Sequence, residues 1–276
     1  MPTAAPTIRL NDGVEIPQLG FGTYQIDPDD TTEAVATALD VGYRHVDTAQ
    51  MYGNEAEVGE AVRSSGLDRG EVFVTTKLDN GFHAHDDAVT AIDRSLAALG
   101  LDHVDLFLIH WPLPSQDLYV EAWTALQEAQ AVGKTRSIGV SNFQPHHLDR
   151  LARECDVVPS VDQIEVHPYF PQTEVRAEAK DRGIVVEAWS PIAQGDVLDD
   201  PAVTALAEDH DATPAQVVLA WHLQRGDVVF PKSSNRERME ENWGALQVTL
   251  TDDEVARLTA LGRDDGRRGP DPDEMG

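Results

Sequence analysis

A single cysteine, Cys155, stands in 276 residues, which excludes a disulfide framework and a cysteine-ligated metal cluster. Lysine is almost as scarce: Lys77, Lys134, Lys180 and Lys232 are the whole complement. Positive charge is short overall, with 21 Lys and Arg against 49 Asp and Glu and a formal net charge of −28. Such a balance repels nucleic acid and anionic membranes, so neither is expected as a partner. Long apolar runs are missing too. No stretch approaches the roughly 20 residues that a spanning helix needs, so no membrane segment is expected. Met1 to Leu10 has neither a basic start nor an apolar stretch, so no secretory signal is expected and the expected location is the cytoplasm.

The acidic residues are spread along the chain rather than gathered in one tail. That composition resembles cytoplasmic proteins of salt-loving archaea, in which salt screens the self-repulsion. The screening length falls to about 3 Å at 1 M salt. An ordinary acidic protein is the competing reading.

What the chain does have is regular alternation. Thr7–Leu10 and Val14–Pro17 flank Asn11-Asp12-Gly13, a hairpin signal. Strands are then predicted at Leu19–Thr23, Tyr43–Asp47, Val72–Lys77, Val104–His110, Ser137–Ser141, Ser160–Gln163, Val185–Ser190 and Val228–Lys232. Between and after them, helical periodicity falls at Asp30–Asp40, Asn54–Ser65, Asp86–Leu99, Leu118–Ala131, Pro145–Glu154, Thr173–Arg182, Pro214–Arg225 and Asn235–Trp243. Extra helices are expected at Pro201–His210 and Asp252–Leu261. The even spacing, with no linker, predicts one domain over residues 1–276 of the α/β class, a closed (β/α)8 TIM barrel whose hairpin covers the amino-terminal end. Only residues 262–276 read as an irregular tail.

In such a barrel the carboxyl ends of the strands converge on one face, where Asp47, Tyr52, Lys77 and His110 would meet. A phenol with a pKa of roughly 10 is a weak acid at neutral pH. An adjacent ammonium favours the phenolate and is expected to lower that pKa, while a carboxylate steadies the ammonium. A histidine is left to orient a carbonyl. These parts suit aldehyde or ketone reduction. The plain alternatives are a buried ion pair for Asp47 and Lys77 and a packed histidine for His110.

The segments Asp47-Thr48-Ala49, Tyr52-Gly53-Asn54-Glu55, Thr75-Thr76-Lys77 and Leu108-Ile109-His110-Trp111-Pro112 are similar to those of the aldo-keto reductase superfamily. So are Gly139-Val140-Ser141-Asn142-Phe143, Gln163-Ile164-Glu165-Val166-His167-Pro168 and Pro231-Lys232-Ser233. The chain most resembles prokaryotic reductases of the 2,5-diketo-D-gluconate reductase type. The resemblance implies NADPH-dependent reduction of small aldehydes, ketones or keto-sugars by a tetrad in which Tyr52 donates the proton, Lys77 and Asp47 tune it, and His110 bonds the carbonyl oxygen. It also implies a monomer acting on a small-molecule carbonyl substrate, with no metal.

The same resemblance implies a nicotinamide cradle. Gly22, Thr23 and Asp47 would lie beside the cofactor, Ser141, Asn142 and Gln163 would hold the carboxamide, and Trp189 would stack on the ring. Ser190, Ile192, Gln194 and Gly195 would cross the pyrophosphate. Lys232, Ser233 and Arg238 would surround a 2′-phosphate, with Glu241 and Asn242 at the adenine and Arg236 left on the surface. Tyr24, Tyr52, His110 and Trp111 would line the substrate side.

Departures from the family pattern are Asp79 in place of a common tryptophan, Ala193 in place of a frequent glycine, and Ser234-Asn235. They leave NADH use open. His83, His85 and Asp86 read as a solvated loop rather than a metal site. Two further functions compete: a cofactor-binding regulatory subunit without significant turnover, and an aldolase with Lys77 as Schiff base.

Overall fold

The structure is a computed structural model that describes residues 4–275. Its frame is an eight-stranded sheet, all neighbours parallel, in chain order. After the antiparallel hairpin β1 (Thr7–Arg9) and β2 (Glu15–Pro17) come β3 (Phe21–Gly22), β4 (His45–Asp47), β5 (Phe73–Leu78) and β6 (Val104–Ile109). The set is completed by β7 (Thr135–Ser141), β8 (Val161–Glu165), β9 (Val185–Trp189) and β10 (Val228–Val229). A parallel bridge from Leu19 to Val229 joins the two edges and closes a (β/α)8 barrel.

The helices outside it are α1 (Pro28–Val41), α2 (Glu55–Ser64), α3 (His85–Leu99), α4 (Tyr119–Ala131) and α5 (Pro145–Glu154). They continue with α6 (Thr173–Asp181), α7 (Pro201–Asp209), α8 (Pro214–Gln224), α9 (Arg236–Trp243) and α10 (Asp252–Thr259), so both extra helices are present. Strands β3 and β10 are shorter than expected. Pro231 has no N–H to extend the ladder. Beside it, a Cβ on Gly20 would come within 2.7 Å of His45 Nδ1, and one on Gly22 within 2.7 Å of the Phe230 carbonyl. The Gly20-Phe21-Gly22 pair therefore serves close packing where the barrel shuts.

The lumen is divided by polarity. Its amino-terminal half is filled by Leu10, Ile16, Phe73, Leu106, Leu108, Val161 and Val228, an apolar plug contributed partly by the hairpin. Ser137 and Ser160 bond the hairpin tip through Asp12 and Asn11 at 2.7 and 2.8 Å. Above the plug the same inward positions turn polar. Alternation on each strand aims His45, Asp47, Thr75, Lys77, Gln163 and Glu187 inward, and all six are buried. A polar layer over an apolar floor gives hydrogen bonds low-dielectric surroundings and makes every unpaired group expensive.

Candidate active site

Lys77, fully enclosed at the end of β5, organises the mouth. Its Nζ donates to Asp47 Oδ1 at 2.7 Å, to the Thr48 carbonyl at 2.9 Å and to Tyr52 Oη at 3.3 Å. An ammonium has three protons, so none is left over. The phenol oxygen accepts from the ammonium, and its own O–H stays free to donate elsewhere. Burial disfavours the Lys77 cation, but Asp47 and Tyr52 outweigh burial and its pKa is raised. A Schiff-base lysine needs a neutral amine, and this one is committed as a cation.

Tyr52 departs from the sequence expectation. Burial raises its pKa, Lys77 pulls it down, and the net direction is upward. Desolvation of the phenolate wins over a single ammonium that already serves Asp47. The phenol thus keeps its proton at neutral pH, with the Lys77 ammonium set against its oxygen. His110 follows β6 directly, with its ring 5.7 Å from that of Tyr52. Burial, Lys77 and His83 push its pKa down to about 3, so the imidazole is neutral. Its Nδ1 is enclosed without a partner among the described residues, which leaves Nε2 for a ligand. Tyr24 is exposed and tilts over Tyr52 at 5.0 Å, while Trp111 is mostly buried beside His110.

The residues assigned to a cofactor gather on the same face but divide into free and occupied groups. Thr23 N–H and Oγ1 both donate to the Asp47 carbonyl at 3.0 Å, so Thr23 supports Asp47. Fully buried Gly22 contributes no side chain. Ser141 Oγ donates to the Gln163 carbonyl at 2.7 Å. Asn142 Nδ2 bonds the His110 carbonyl and Ser141 Oγ, and its Oδ1 accepts from the Trp189 indole at 2.8 Å. Gln163 Nε2 donates to Asp47 Oδ2 and Glu187 Oε2, leaving Oε1 without a donor among the described residues.

Beyond β9 the backbone is left-handed at Ser190, Ala193, Gln194 and Gly195, with Ile192 between them. Ala193 holds φ 50° where the family pattern favours glycine, a strain of roughly 1–2 kcal/mol of the kind that concentrates at ligand clamps. Lys232 and Arg238 are exposed and make no ion pair among the described residues. Lys232 and Ser233 precede α9, which carries Arg238 and whose first turn is capped by Asn235. Arg236 is instead spent on Asp40 and Glu240. On the same helix Glu241 is half-buried and Asn242 buried.

Residues 18–263 match the Aldo/keto reductase family. Morphine 6-dehydrogenase of Pseudomonas putida is 45% identical over 285 aligned positions, covering 98% of this chain and 96% of that protein. A crystal structure of a Gox0644 mutant in complex with NADPH superposes with a TM-score of 0.95 at 42% identity, covering 99% of this chain and 100% of that one. A putative 2,5-diketo-D-gluconic acid reductase B gives 0.91 at 38% identity, over 98% and 95% of the two chains. The chain belongs to the aldo/keto reductase family.

Within that family frame, some groups here escaped the sequence reading. His83 is not solvated: it is buried, both ring nitrogens lack a partner among the described residues, and burial lowers its pKa to about 4. Only His85 and Asp86 face solvent, at the start of α3. The tail lacks helix and strand yet is fastened. Arg268 and Gly269 N–H groups donate to the Glu165 carboxylate at 2.6 and 2.9 Å, and His167 Nε2 lies 2.9 Å from it. A Cβ on Gly269 would meet the Trp189 ring at 2.3 Å, so glycine lets the tail lie against that indole.

His146, His147 and Asp273 bring donor atoms within 4.8 Å of one another. His147 Nδ1 accepts from the Gln144 N–H at 3.1 Å, which puts its proton on Nε2, facing Asp273 at 3.6 Å. Metal-binding imidazoles donate through the other nitrogen, so the trio reads as a further tether for the tail. Glu187 was also missed. The signal available was strand parity, which aims it inward between Val185 and Trp189.

Proposed function

We propose that the chain reduces aldehydes, ketones or keto-sugars to alcohols with NADPH, using Tyr52 as general acid. The observation that carries this reading is the saturated Lys77, which accepts nothing and leaves the Tyr52 proton pointing away from it. The residues fit a nicotinamide dinucleotide phosphate: an open amide oxygen on Gln163, a left-handed turn after β9, and two exposed cations without an ion pair among the described residues, in a protein of charge −28. When bound, NADPH supplies a hydride to the carbonyl carbon.

The chain's own work is proton placement. Neutral His110 donates to the carbonyl oxygen and sets its direction. Tyr52 passes its proton to that oxygen as negative charge develops there, and the Lys77 ammonium stabilises the phenolate left behind. The phenol then recovers a proton from solvent. Lys232 and Arg238 would hold the 2′-phosphate through charge-assisted bonds, which would favour NADPH over NADH. The names of the relatives span a polycyclic alkaloid and an acidic sugar, so family membership leaves the substrate open. The half-buried Asp79 carboxylate beside the mouth favours neutral carbonyl compounds over acids.

Steady NADPH oxidation with a panel of aldehydes tests the reading, with Tyr52→Phe as the decisive variant. The variant should bind NADPH nearly as well but turn over at least about a hundredfold more slowly, the low end for losing a general acid. Retention of half the activity sinks the assignment. Cofactor binding with no turnover by the wild type favours a regulatory subunit instead.

A further inference from the structure

Beneath the tetrad, one amide nitrogen is shared by two carboxyl groups. Gln163 Nε2 donates to Asp47 Oδ2 at 2.8 Å and to Glu187 Oε2 at 2.7 Å. Each of the three residues is at most 2% exposed. Asp47 is bound to the Lys77 ammonium and is an acceptor only. If the Gln163 amide were turned over, its oxygen would face that carboxylate, so the network itself fixes which end is nitrogen. Asp47 holds one N–H. Glu187 takes the second, and with both committed inward the nitrogen cannot swing toward the mouth.

We propose that Glu187 is a positioning residue that locks the plane of the Gln163 amide, so that Oε1 stands out as a fixed acceptor for the carboxamide N–H of a nicotinamide cofactor. This rests on the cofactor reading above. Glu187 itself touches neither tetrad proton nor substrate. Two charged carboxylates on one nitrogen would repel, and the structure avoids this: burial, then Asp47, pushes the Glu187 pKa up to about 8. The neutral acid accepts through Oε2 and keeps its proton on Oε1, an oxygen without a hydrogen-bond partner among the described residues, 3.9 Å from His45 Nε2. Because the acid is neutral, glutamine is its close mimic at position 187, whereas leucine removes the acceptor and leaves a Gln163 N–H unsatisfied. An unsatisfied buried donor turns to find a partner, and rotation of the amide plane is the way open to it.

The test compares NADP⁺ with its 3-acetylpyridine analogue, in which a methyl group replaces the carboxamide nitrogen, by calorimetric or tryptophan-fluorescence titration of the intact protein. The wild type should prefer NADP⁺ about tenfold, the value of one net hydrogen bond. Glu187→Gln should keep that ratio. Glu187→Leu should bring it to about twofold or less, with NADP⁺ still bound through its phosphates. Glu187→Met gives a second non-accepting side chain of similar length should leucine fail to fold. An unchanged ratio in the leucine or methionine variant overturns the inference, as does an equal loss in the glutamine variant. A wild type that binds NADP⁺ without preferring it over the analogue also overturns it. No binding of NADP⁺ by the wild type removes the cofactor reading as well, so the two failures are told apart.

Discussion

At the residue scale, the four lysines have divided fates. Lys77 is enclosed and saturated, while Lys232 is exposed and makes no ion pair among the described residues. An exposed cation without an ion pair among the described residues is unusual in so acidic a chain, and the same holds for Arg238; a phosphate would relieve both. Lys232→Ala or Arg238→Ala should therefore weaken NADPH far more than NADH, which lacks the extra phosphate. One lost charge-assisted bond is worth on the order of 1.5–3 kcal/mol, or roughly ten- to a hundredfold in affinity. Titration of both cofactors against each variant checks this. Equal losses would show that the residues serve the fold or the shared pyrophosphate.

At the element scale, the tail behaves as a strap without secondary structure. Two of its backbone N–H groups end on Glu165, and Arg268 also reaches Asp196 in the turn after β9 at 3.0 Å. Glu165→Ala should release it. Each bond to a charged acceptor contributes about 1.5–3 kcal/mol, enough to expose the chain near Arg267 and Arg268 to trypsin. Faster tail cleavage with a barrel that still melts cooperatively is the expected result, and unchanged protection would mean that Trp189 and the His146 pair hold the tail without Glu165. Such a strap was illegible in the sequence, because Gly, Asp, Arg and Pro in a non-periodic run look alike whether loose or tied, and its partners lie about a hundred positions away. The barrel was legible because each strand and helix announces itself over a few residues. The gathering of Asp47, Tyr52, Lys77 and His110 at one mouth was legible for the same reason, since they lie in short motifs at or just past strand ends. What could not be read was a balance of opposing effects. The upward shift of Tyr52 depends on how deeply the phenol is enclosed, and the burial of His83 depends on how its loop folds back; neither quantity is local.

At the scale of the whole molecule, 28 excess negative charges must be carried by one barrel. Several of the few arginines are already matched to surface acids, as Arg182 is to Asp149 and Arg236 to Asp40, so repulsion among the remaining carboxylates is largely uncompensated. Self-repulsion destabilises the compact state most when screening is weak. Raising salt from about 0.1 M to 1 M shortens the screening length from roughly 10 Å to 3 Å, below the usual spacing of surface carboxylates. The exposed ion pairs lose strength over the same interval, but exposed pairs contribute only about 0–1 kcal/mol each, and they are outnumbered by unpaired acids. Stability should therefore rise with salt, steeply to about 1 M and more slowly beyond. Cofactor affinity should move the other way, because salt screens the Lys232 and Arg238 cations from a phosphate dianion. The activity optimum is then expected at lower salt than the stability optimum. Thermal melts and NADPH titrations in KCl from dilute to multimolar measure both trends, and a melting temperature that stays flat or falls with salt would mean that the acidic surface is no adaptation to it.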